Sequence, residues 1–396
     1  MKNKLKNKKN KLPKGANILE GSRAVALTIA NIGPDVISAY PITPQTHIVE
    51  DLAKFKADGI ANYEYVRAES EFAAASILVG ASATGVRTYS ATSSQGVLLM
   101  TEVIYNIAGL RLPVVLTIAN RGISSPITIW NDHQDAMSIR DAGWIMFFAE
   151  NHQEAVAQHI LAYKIAEKLK IPAVVNIDGF ILTHSYEPVI IPNKTQIKKY
   201  LPSYKPEKGT YLNPKEPMTM GSFARPAYYQ EIRESLQNDL NNSTTLIEKE
   251  FKNLQKILGK GIASKDKSAL MEYYGKSNAK TVIIAMGSMV GTIKDVVDEN
   301  RNKVAVLKLK VYRPFPAKEL IKVLKKAKKI IVLEKAISLG SVGPLASEIK
   351  SLLQGKSKAK VYSVISGLGG RDITKDKINM IININSQDTN KANFIK

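Results

Sequence analysis

Short apolar strands alternate with helical segments from Glu20 to about Gly179. The strand-like segments include DVISAYP, PVVLTIAN and PAVVNIDG, and segments with helical periodicity separate them. Several of these strands are apolar along their whole length, so they are expected to be buried on both faces. The pattern predicts an α/β fold in which helices cover both sides of a mainly parallel sheet.

The alternation stops near residue 186 and resumes near residue 280. Between these points lies a stretch with several prolines, followed by residues 226–259, which have the pattern of one or two amphipathic helices. The N-terminus, MKNKLKNKKNKLPKG, is lysine-rich and has no apolar period. We therefore predict a disordered basic tail over residues 1–15, an α/β domain over 16–185, an arm or linker with helices over 186–268, and a second α/β domain over 269–396.

The chain is strongly basic, with a formal net charge of +21 over 396 residues. Such a charge is compatible with nucleic-acid binding, and a basic nucleic-acid-binding or scaffold protein is a remote alternative. Most of the excess, however, is lysine spread over helix surfaces and the N-terminus, without an RNA-binding or zinc-finger signature. No apolar stretch reaches the roughly 18–20 residues of a membrane span, and the N-terminus lacks the apolar core of a secretory signal. We therefore expect a cytoplasmic protein that binds neither nucleic acid nor membrane.

The sequence contains no cysteine. Disulfides, thiolate metal sites and an iron–sulfur cluster held by this chain alone are therefore excluded. The five histidines, His47, His133, His152, His159 and His184, are scattered without the spacing of metal ligands. The sequence therefore predicts no metal site.

Three polar residues follow predicted strands. Thr43 lies between Pro41 and Pro44, which restrict the backbone and predict a stiff turn at the end of a strand. Glu71 begins an alanine-rich helix after the next strand, and Arg121 follows the apolar strand PVVLTIAN. Each has an ordinary structural explanation on its own: a helix start, a helix cap and an ion-paired loop residue. Because parallel strands end at one edge of a sheet, the three are expected to converge there, where such sheets bind ligands.

Two glycine-rich segments follow strands of the second α/β unit. The segment Gly287–Gly291 could bind an anion at a helix N-terminus or form a tight strand-to-helix turn. It lacks both the GxGxxG spacing and the lysine of a phosphate-binding loop. The segment Gly367–Asp372 is expected to have a structural or interface role, since its glycines permit an unusual turn.

Four segments of the first unit carry a resemblance to a known family. The chain resembles the alpha subunits of the multi-subunit pyruvate:ferredoxin oxidoreductases, also called pyruvate synthases, in YPITPQT, AESEFAAASILVGASATG, YSATSSQG and NRGISSPITIWNDHQDAMSIRDAGW. The resemblance covers roughly residues 17–185 and continues more loosely in KVYRPFP and SGLGGRD. It implies a pyrimidine-type domain of a thiamine enzyme, followed by a second α/β domain like the C-terminal domain of transketolases.

The resemblance implies a thiamine-pyrophosphate enzyme that reversibly converts pyruvate, coenzyme A and oxidised ferredoxin into acetyl-CoA, carbon dioxide and reduced ferredoxin. A related enzyme acting on a branched-chain 2-oxoacid, 2-oxoglutarate or oxalate remains an alternative. Glu71 lies at the family position of the carboxylate that hydrogen-bonds the aminopyrimidine ring of the cofactor. By the same resemblance Thr43 contacts substrate or cofactor, and Arg121 binds the carboxylate of pyruvate. The cofactor pocket is further expected to be lined by Ser93, Ser94 and Gln95.

Part of the cofactor site is missing from the sequence. Thiamine enzymes hold magnesium and the pyrophosphate with a Gly-Asp-Gly segment followed by an asparagine, and only the fragment Asp178-Gly179 occurs here. The resemblance therefore implies that thiamine pyrophosphate is shared with a beta subunit, and that Mg²⁺ and [4Fe-4S] clusters belong to partner subunits. It implies gamma and delta subunits and ferredoxin as further partners, in a dimer of heteromers.

Overall fold

The computed structural model describes residues 12–300, 303–385 and 389–396. Residues 1–11, most of the predicted basic tail, lie outside the described residues. The elements before residue 201 are β1 (Asn17–Glu20), α1 (Gly21–Ile32), β2 (Val36–Ala39), α2 (Thr46–Ala57), β3 (Glu64–Arg67), α3 (Glu71–Ala83), β4 (Thr88–Thr92), α4 (Ser94–Gly109), β5 (Val115–Asn120), α5 (Gln134–Ser138), β6 (Ile145–Phe148), α6 (His152–Leu169), β7 (Ala173–Asp178), β8 (Tyr186–Val189) and α7 (Lys194–Tyr200). The elements after it are α8 (Pro226–Leu258), α9 (Lys260–Ala263), β9 (Met271–Gly275), β10 (Thr281–Ala285), α10 (Met289–Glu299), β11 (Val304–Leu309), β12 (Val311–Arg313), α11 (Ala317–Leu324), β13 (Lys329–Glu334), α12 (Pro344–Leu353), β14 (Lys360–Ile365), α13 (Lys375–Ile382) and β15 (Ala392–Phe394).

The first large sheet has seven strands in the order β12-β6-β7-β5-β4-β2-β3. All its pairs are parallel except β12 with β6. The central strands β4, β5 and β7 are buried along their whole length, as their apolar sequences predict. The mainly parallel α/β architecture is thereby confirmed. Because β3, β2, β4 and β5 are parallel neighbours, the loops that follow them meet at one edge of the sheet.

The second large sheet has six strands in the order β15-β14-β13-β10-β11-β9, with β9 antiparallel to β11. The apolar run KVAVLKLKV, which its sequence predicts as one strand, is divided between the two sheets. Its first part forms β11, and β12 pairs with β6 of the first sheet. Lys308 and Lys310 in this run are buried, and their ammonium groups lie 2.6 Å from Glu150 Oε2 and 2.9 Å from Asp266 Oδ2. The lysines thus pair with carboxylates where the chain passes between the sheets.

A small sheet and a long helix pack against helices of the first unit. Strands β1 and β8 form a two-stranded antiparallel sheet beside α1. Helix α8 runs for 33 residues, so the segment predicted as one or two helices is one helix. Its buried face, which includes Leu236, Leu240, Ile247 and Phe251, packs against α6 and α7. Within the described residues, no helix is both long enough and apolar enough to span a membrane.

Candidate active site

The turn after β2 is fixed at the carboxyl edge of the first sheet. Gln45 Nε2 donates to the carbonyl oxygens of Tyr40 at 2.9 Å and Ala91 at 2.8 Å, which ties the turn to the end of β4. Pro44 packs against Gly179 so closely that a Cβ on this glycine would lie 2.6 Å from Pro44 Cγ. The side chain of Thr43 is exposed in this turn, where a ligand can reach it.

Arg121 is buried next to this turn, with only 7% of its surface exposed. Its Nη1 donates to the carbonyl of Thr43 at 2.9 Å, and its Nε donates to the carbonyl of Thr128 at 2.6 Å. Burial lowers the pKa of Arg121. Among the described residues no carboxylate forms an ion pair with this guanidinium, although it has five N–H donors. Among the described residues Arg121 is therefore a buried cation without a direct ion pair, although the nearby carboxylate of Asp135 favours its charged form.

Glu71 is the first residue of α3 and is also 7% exposed. Ser70 caps the helix by accepting a hydrogen bond from the backbone N–H of Ala73 at 3.1 Å. Within the described part of the chain, nothing donates a hydrogen bond to the Glu71 carboxylate. A Cβ on Gly96 would lie 2.8 Å from Glu71 Oε1 and would collide with Thr92 Oγ1, itself buried without a partner. The Glu71 carboxylate therefore keeps hydrogen-bonding capacity that a bound ligand could use.

The segment Ser93–Gln95 is bound to the loop that follows β5. The hydroxyl of Ser93 donates at 2.7 Å to the carbonyl of Ala119, near the end of that strand, and the hydroxyl of Ser94 donates at 2.6 Å to the carbonyl of Gly122. Gln95 Nε2 donates to a carbonyl further along the same loop at 3.3 Å. These side chains therefore hold the loop that carries Arg121.

Asp135 joins the loops after β4 and β5, a role that sequence reasoning missed. Its buried carboxylate accepts hydrogen bonds from the backbone N–H groups of Ser94 at 3.0 Å and Arg121 at 2.9 Å, and from Asn120 Nδ2 at 3.0 Å. Burial raises the pKa of Asp135 to about 6. The sequence signal was the polar run NDHQD after a buried strand, but nothing in it singled out the second aspartate.

Asp178 lies in a buried cluster between the two large sheets. Its carboxylate is 2.7 Å from His133 Nε2 and 2.8 Å from Lys335 Nζ, and it accepts from the backbone N–H of Ser288 at 3.0 Å. Although burial alone would raise it, the neighbouring Lys335 and His133 hold the pKa of Asp178 well below its ordinary value. This chain's own carboxylate thus occupies the start of α10, which favours a strand-to-helix turn over an anion site in the segment Gly287–Gly291.

The second glycine-rich segment packs against the loop after Arg121. The backbone N–H of Gly370 donates to the carbonyl of Asn131 at 2.6 Å, and a Cβ on this glycine would lie 2.6 Å from Trp130 Cβ. A cavity of about 390 Å³ adjoins this contact and is lined by residues of both large sheets' loops, among them Phe180 and Arg371. The segment therefore joins the second unit to the loop that holds Arg121.

Two family models match this chain. The first, described as "Pyruvate flavodoxin/ferredoxin oxidoreductase, thiamine diP-bdg", matches residues 28–252. The chain belongs to the pyruvate:ferredoxin oxidoreductase family. The second model, "Pyruvate:ferredoxin oxidoreductase core domain II", matches residues 279–378. The family predicted from the sequence segments is confirmed, and Glu71, Arg121 and the Thr43 turn lie within its thiamine diphosphate-binding part.

Curated relatives match almost the whole chain. It is 46% identical over 373 residues to the pyruvate synthase subunit PorA of Methanosarcina barkeri, covering 92% of this chain and 91% of the relative. It is 38% identical over 368 residues to the ketoisovalerate oxidoreductase subunit VorA of Pyrococcus furiosus, covering 92% of each. Relatives at this level of similarity are therefore named for two different 2-oxoacids.

Solved structures share the fold. A 2-oxoglutarate:ferredoxin oxidoreductase from Magnetococcus marinus superposes with a TM-score of 0.68 at 20% identity, over 93% of this chain. This chain spans 65% of the length of that protein. A split-gene transketolase superposes with a TM-score of 0.53 at 12% identity, over 91% of this chain and 95% of the transketolase. The predicted likeness to thiamine-enzyme folds is therefore confirmed at the level of architecture.

Proposed function

We propose that this chain is the alpha subunit of a pyruvate synthase, in a cytoplasmic complex that uses thiamine pyrophosphate. The reaction takes pyruvate, coenzyme A and two oxidised ferredoxins to acetyl-CoA, carbon dioxide, two reduced ferredoxins and one proton. The carbon–carbon bond next to the keto group breaks, and the two electrons released by oxidation of the remaining acyl carbon pass to ferredoxin. The reverse direction makes pyruvate from the same compounds.

The buried guanidinium of Arg121 carries this proposal. Two backbone carbonyls orient it, and its remaining N–H donors have no acidic partner among the described residues. A carboxylate that arrives with the substrate would accept two parallel hydrogen bonds from it and remove the cost of an unpaired buried charge. Thr43 lies directly beside it, so its exposed hydroxyl would contact the same small 2-oxoacid.

Glu71 fits the aminopyrimidine end of thiamine pyrophosphate. The residue is 7% exposed and its carboxylate has no hydrogen-bond donor among the described residues, and the lack of a side chain at Gly96 lets this carboxylate pack against the start of α4. When bound, the cofactor supplies the carbon nucleophile and the electron sink for decarboxylation. Glu71 would accept a hydrogen bond from the ring and hold the proton that the cofactor's activation requires.

We further propose that the other half of the site belongs to partner subunits. The chain has no Gly-Asp-Gly segment for magnesium and pyrophosphate, and Asp178, the nearest fragment, is bound to His133, Lys335 and Ser288. It has no cysteine to hold a cluster. Beta, gamma and delta subunits would supply these groups, and co-purification from the source cells should recover a partner with both motifs. Recovery of an active chain without partners would contradict this part of the proposal.

Glu71→Gln tests the cofactor contact. In the assembled complex it should reduce pyruvate-dependent reduction of ferredoxin or a viologen by about 100-fold or more, because the proton acceptor is lost. The free energy of unfolding should change by less than about 1 kcal/mol, because the carboxylate has no partner to lose. Glu69→Gln is the matched control, since Glu69 is exposed two residues away. Near-normal turnover in Glu71→Gln would remove Glu71 from the site.

Arg121→Ala tests the substrate contact. It should raise the KM for pyruvate by about 10- to 100-fold and lower kcat less, because it removes a partner of the substrate carboxylate. Arg225→Ala, at an exposed arginine that precedes α8, should leave both constants unchanged. An unchanged KM in Arg121→Ala would overturn the assignment of Arg121.

A branched-chain 2-oxoacid is the second candidate substrate, favoured by the similarity to the ketoisovalerate oxidoreductase subunit. Both substrates carry the carboxylate that Arg121 would bind, so Arg121 does not distinguish them. Turnover of the purified complex with pyruvate, 2-oxoisovalerate and 2-oxoglutarate would do so. The proposal expects the highest kcat/KM for pyruvate, and a higher value for either of the others would replace it.

A further inference from the structure

Three side chains from distant parts of the sequence meet beside the turn after β2. Glu20, His47 and His184 each offer one ligand atom, and these atoms lie within 4.8 Å of one another. His47 Nδ1 is 2.7 Å from Glu20 Oε1, and the ring centroids of the two histidines are 4.6 Å apart. We propose that these three side chains form a binding site for a divalent transition-metal ion, with Zn²⁺ as the ion that the donors fit best.

The donor set is one that zinc uses in proteins. Two imidazole nitrogens and one carboxylate bind Zn²⁺ at about 2.0–2.2 Å and leave a fourth position for water. Ligand atoms at the corners of such a tetrahedron are about 3.3 Å apart. Glu20 and His47, 2.7 Å apart, are already closer than this. The widest gap in the cluster is at most 4.8 Å and so must close by at most about 1.5 Å. Rotation of the His47 side chain, which is 48% exposed, provides that movement.

The backbone fixes Glu20 next to the segment that carries His184. Glu20 ends β1 and pairs with Tyr186, the first residue of β8. The backbone N–H of the next residue, Gly21, donates to the carbonyl of Ser185 at 3.2 Å. The carboxylate and the imidazole therefore belong to two segments that main-chain hydrogen bonds hold together.

His47 lies in the first turn of α2, and its helix is held from two sides. An ion pair between Arg23 and Asp51 joins α2 to α1, the helix that begins after Glu20. Pro44, three residues before His47, packs against Gly179 on the segment that leads to His184. The three ligand-bearing segments are thus in contact before any metal binds.

The neighbours of His184 leave one ring nitrogen available. Its Nδ1 lies 2.7 Å from Thr183 Oγ1, and within the described residues its Nε2 has no hydrogen-bond partner. Such a hydrogen bond on one nitrogen is the usual means by which proteins orient a metal-binding imidazole. The ring of Phe180 packs against the same histidine with a centroid distance of 4.6 Å. The imidazole is therefore held in place with Nε2 as its coordinating atom.

The site lies outside the residues proposed to act on pyruvate and goes beyond that function. The sequence predicts no metal site, because Glu20, His47 and His184 are far apart in the chain and share no spacing motif. Only the pairing of β1 with β8 and the packing of α2 bring them together.

Calorimetric titration of the full chain with Zn²⁺, produced without a histidine tag, tests the proposal. We expect saturable binding with a stoichiometry near one. His47→Ala and His184→Ala should each raise the dissociation constant for Zn²⁺ by about tenfold or more, because each removes a ligand. Glu50→Gln, at an exposed carboxylate one turn along α2, should leave it unchanged. The proposal would be overturned if the parent chain showed no saturable binding, or if a variant carrying both His47→Ala and His184→Ala bound Zn²⁺ as tightly as the parent chain.

Co²⁺ provides a second measurement that needs no variant. Bound in place of zinc, it should give the visible absorption bands of a four- or five-coordinate nitrogen and oxygen site, and added Zn²⁺ should abolish them. At about 100 times its dissociation constant, Zn²⁺ should raise the melting temperature of the parent chain by about 3 °C, since the unfolded chain lacks the site. A spectrum like that of aqueous Co²⁺ together with an unchanged melting temperature would contradict the proposal.

Discussion

Two arginines at opposite edges of the first sheet are equally buried, at 7% exposure, but have different partners. Arg87 precedes β4 at the amino edge, and its Nε and Nη2 lie 2.5 Å and 3.1 Å from the two carboxylate oxygens of Glu167. Arg121 follows β5 at the carboxyl edge, and its known acceptors are the carbonyls of Thr43 and Thr128. The charge of Arg87 is balanced by a carboxylate of the same chain, whereas Arg121 has no direct ion pair among the described residues and keeps several N–H donors that a ligand could use.

This difference assigns a structural role to Arg87 and a ligand-binding role to Arg121 within the same sheet. A buried ion pair whose partners are both in the chain contributes to folding, and removing one partner leaves a costly charge behind. A buried charge without a partner lowers stability, and such charges are found at functional sites, where a ligand supplies the opposite charge. The same contrast holds for carboxylates, since Glu167 is paired and Glu71 has no donor among the described residues.

The largest expected effect comes from removing the paired arginine. Arg87→Met should lower the free energy of unfolding by about 3 kcal/mol, because it leaves the buried carboxylate of Glu167 unpaired. Arg121→Met is the matched variant and should lower it by only about 1 kcal/mol, because it loses hydrogen bonds to carbonyls and no ion pair. Urea denaturation of both variants measures the difference. Equal losses would show that Arg121 is as structural as Arg87.

A methyl group at Gly96 should have a smaller effect on stability and a larger one on activity. Gly96→Ala places a Cβ against Thr92 Oγ1 and the Glu71 carboxylate, so we expect a loss of about 1–3 kcal/mol from crowding. Turnover of the complex should fall by about tenfold or more, because the displaced carboxylate is the proposed cofactor contact. Gly80→Ala, on α3 where a Cβ meets no atom within 4 Å, should be neutral or slightly stabilising. Full activity in Gly96→Ala would mean that the position of Glu71 is unimportant.

The smallest expected effect is a pH dependence from Asp135, whose pKa burial raises to about 6. The folded chain binds this proton more tightly than the unfolded chain, so the associated stability is present at acid pH and is lost as the pH rises through 6. Relative to Asp135→Asn, the free energy of unfolding of the parent chain should fall by about 1 kcal/mol between pH 5 and pH 7. Urea denaturation at both pH values checks this, with the exposed Asp376→Asn as control. A difference that does not change with pH would mean that Asp135 has an ordinary pKa.

Much of the fold could be predicted from local patterns. The predicted strand segments PVVLTIAN and PAVVNIDG form β5 and β7 in the structure. The positions of Thr43, Glu71 and Arg121 after neighbouring strands follow from the same periodicity, since parallel strands end together. The segment KVAVLKLKV was less predictable, because its division between two sheets depends on the carboxylates that receive Lys308 and Lys310.

The α/β architecture, the family and the edge of the sheet at which polar residues gather could all be inferred before the structure was known. These features follow from residue spacing and from segments of consecutive residues, so they can be inferred without knowing which distant residues are in contact. The hydrogen bond from Arg121 to Thr43, the joining of two loops by Asp135, and the meeting of Glu20 with two histidines are visible only in the folded structure. Each of these contacts joins residues from different elements, and its geometry is set by how those elements pack rather than by either local sequence.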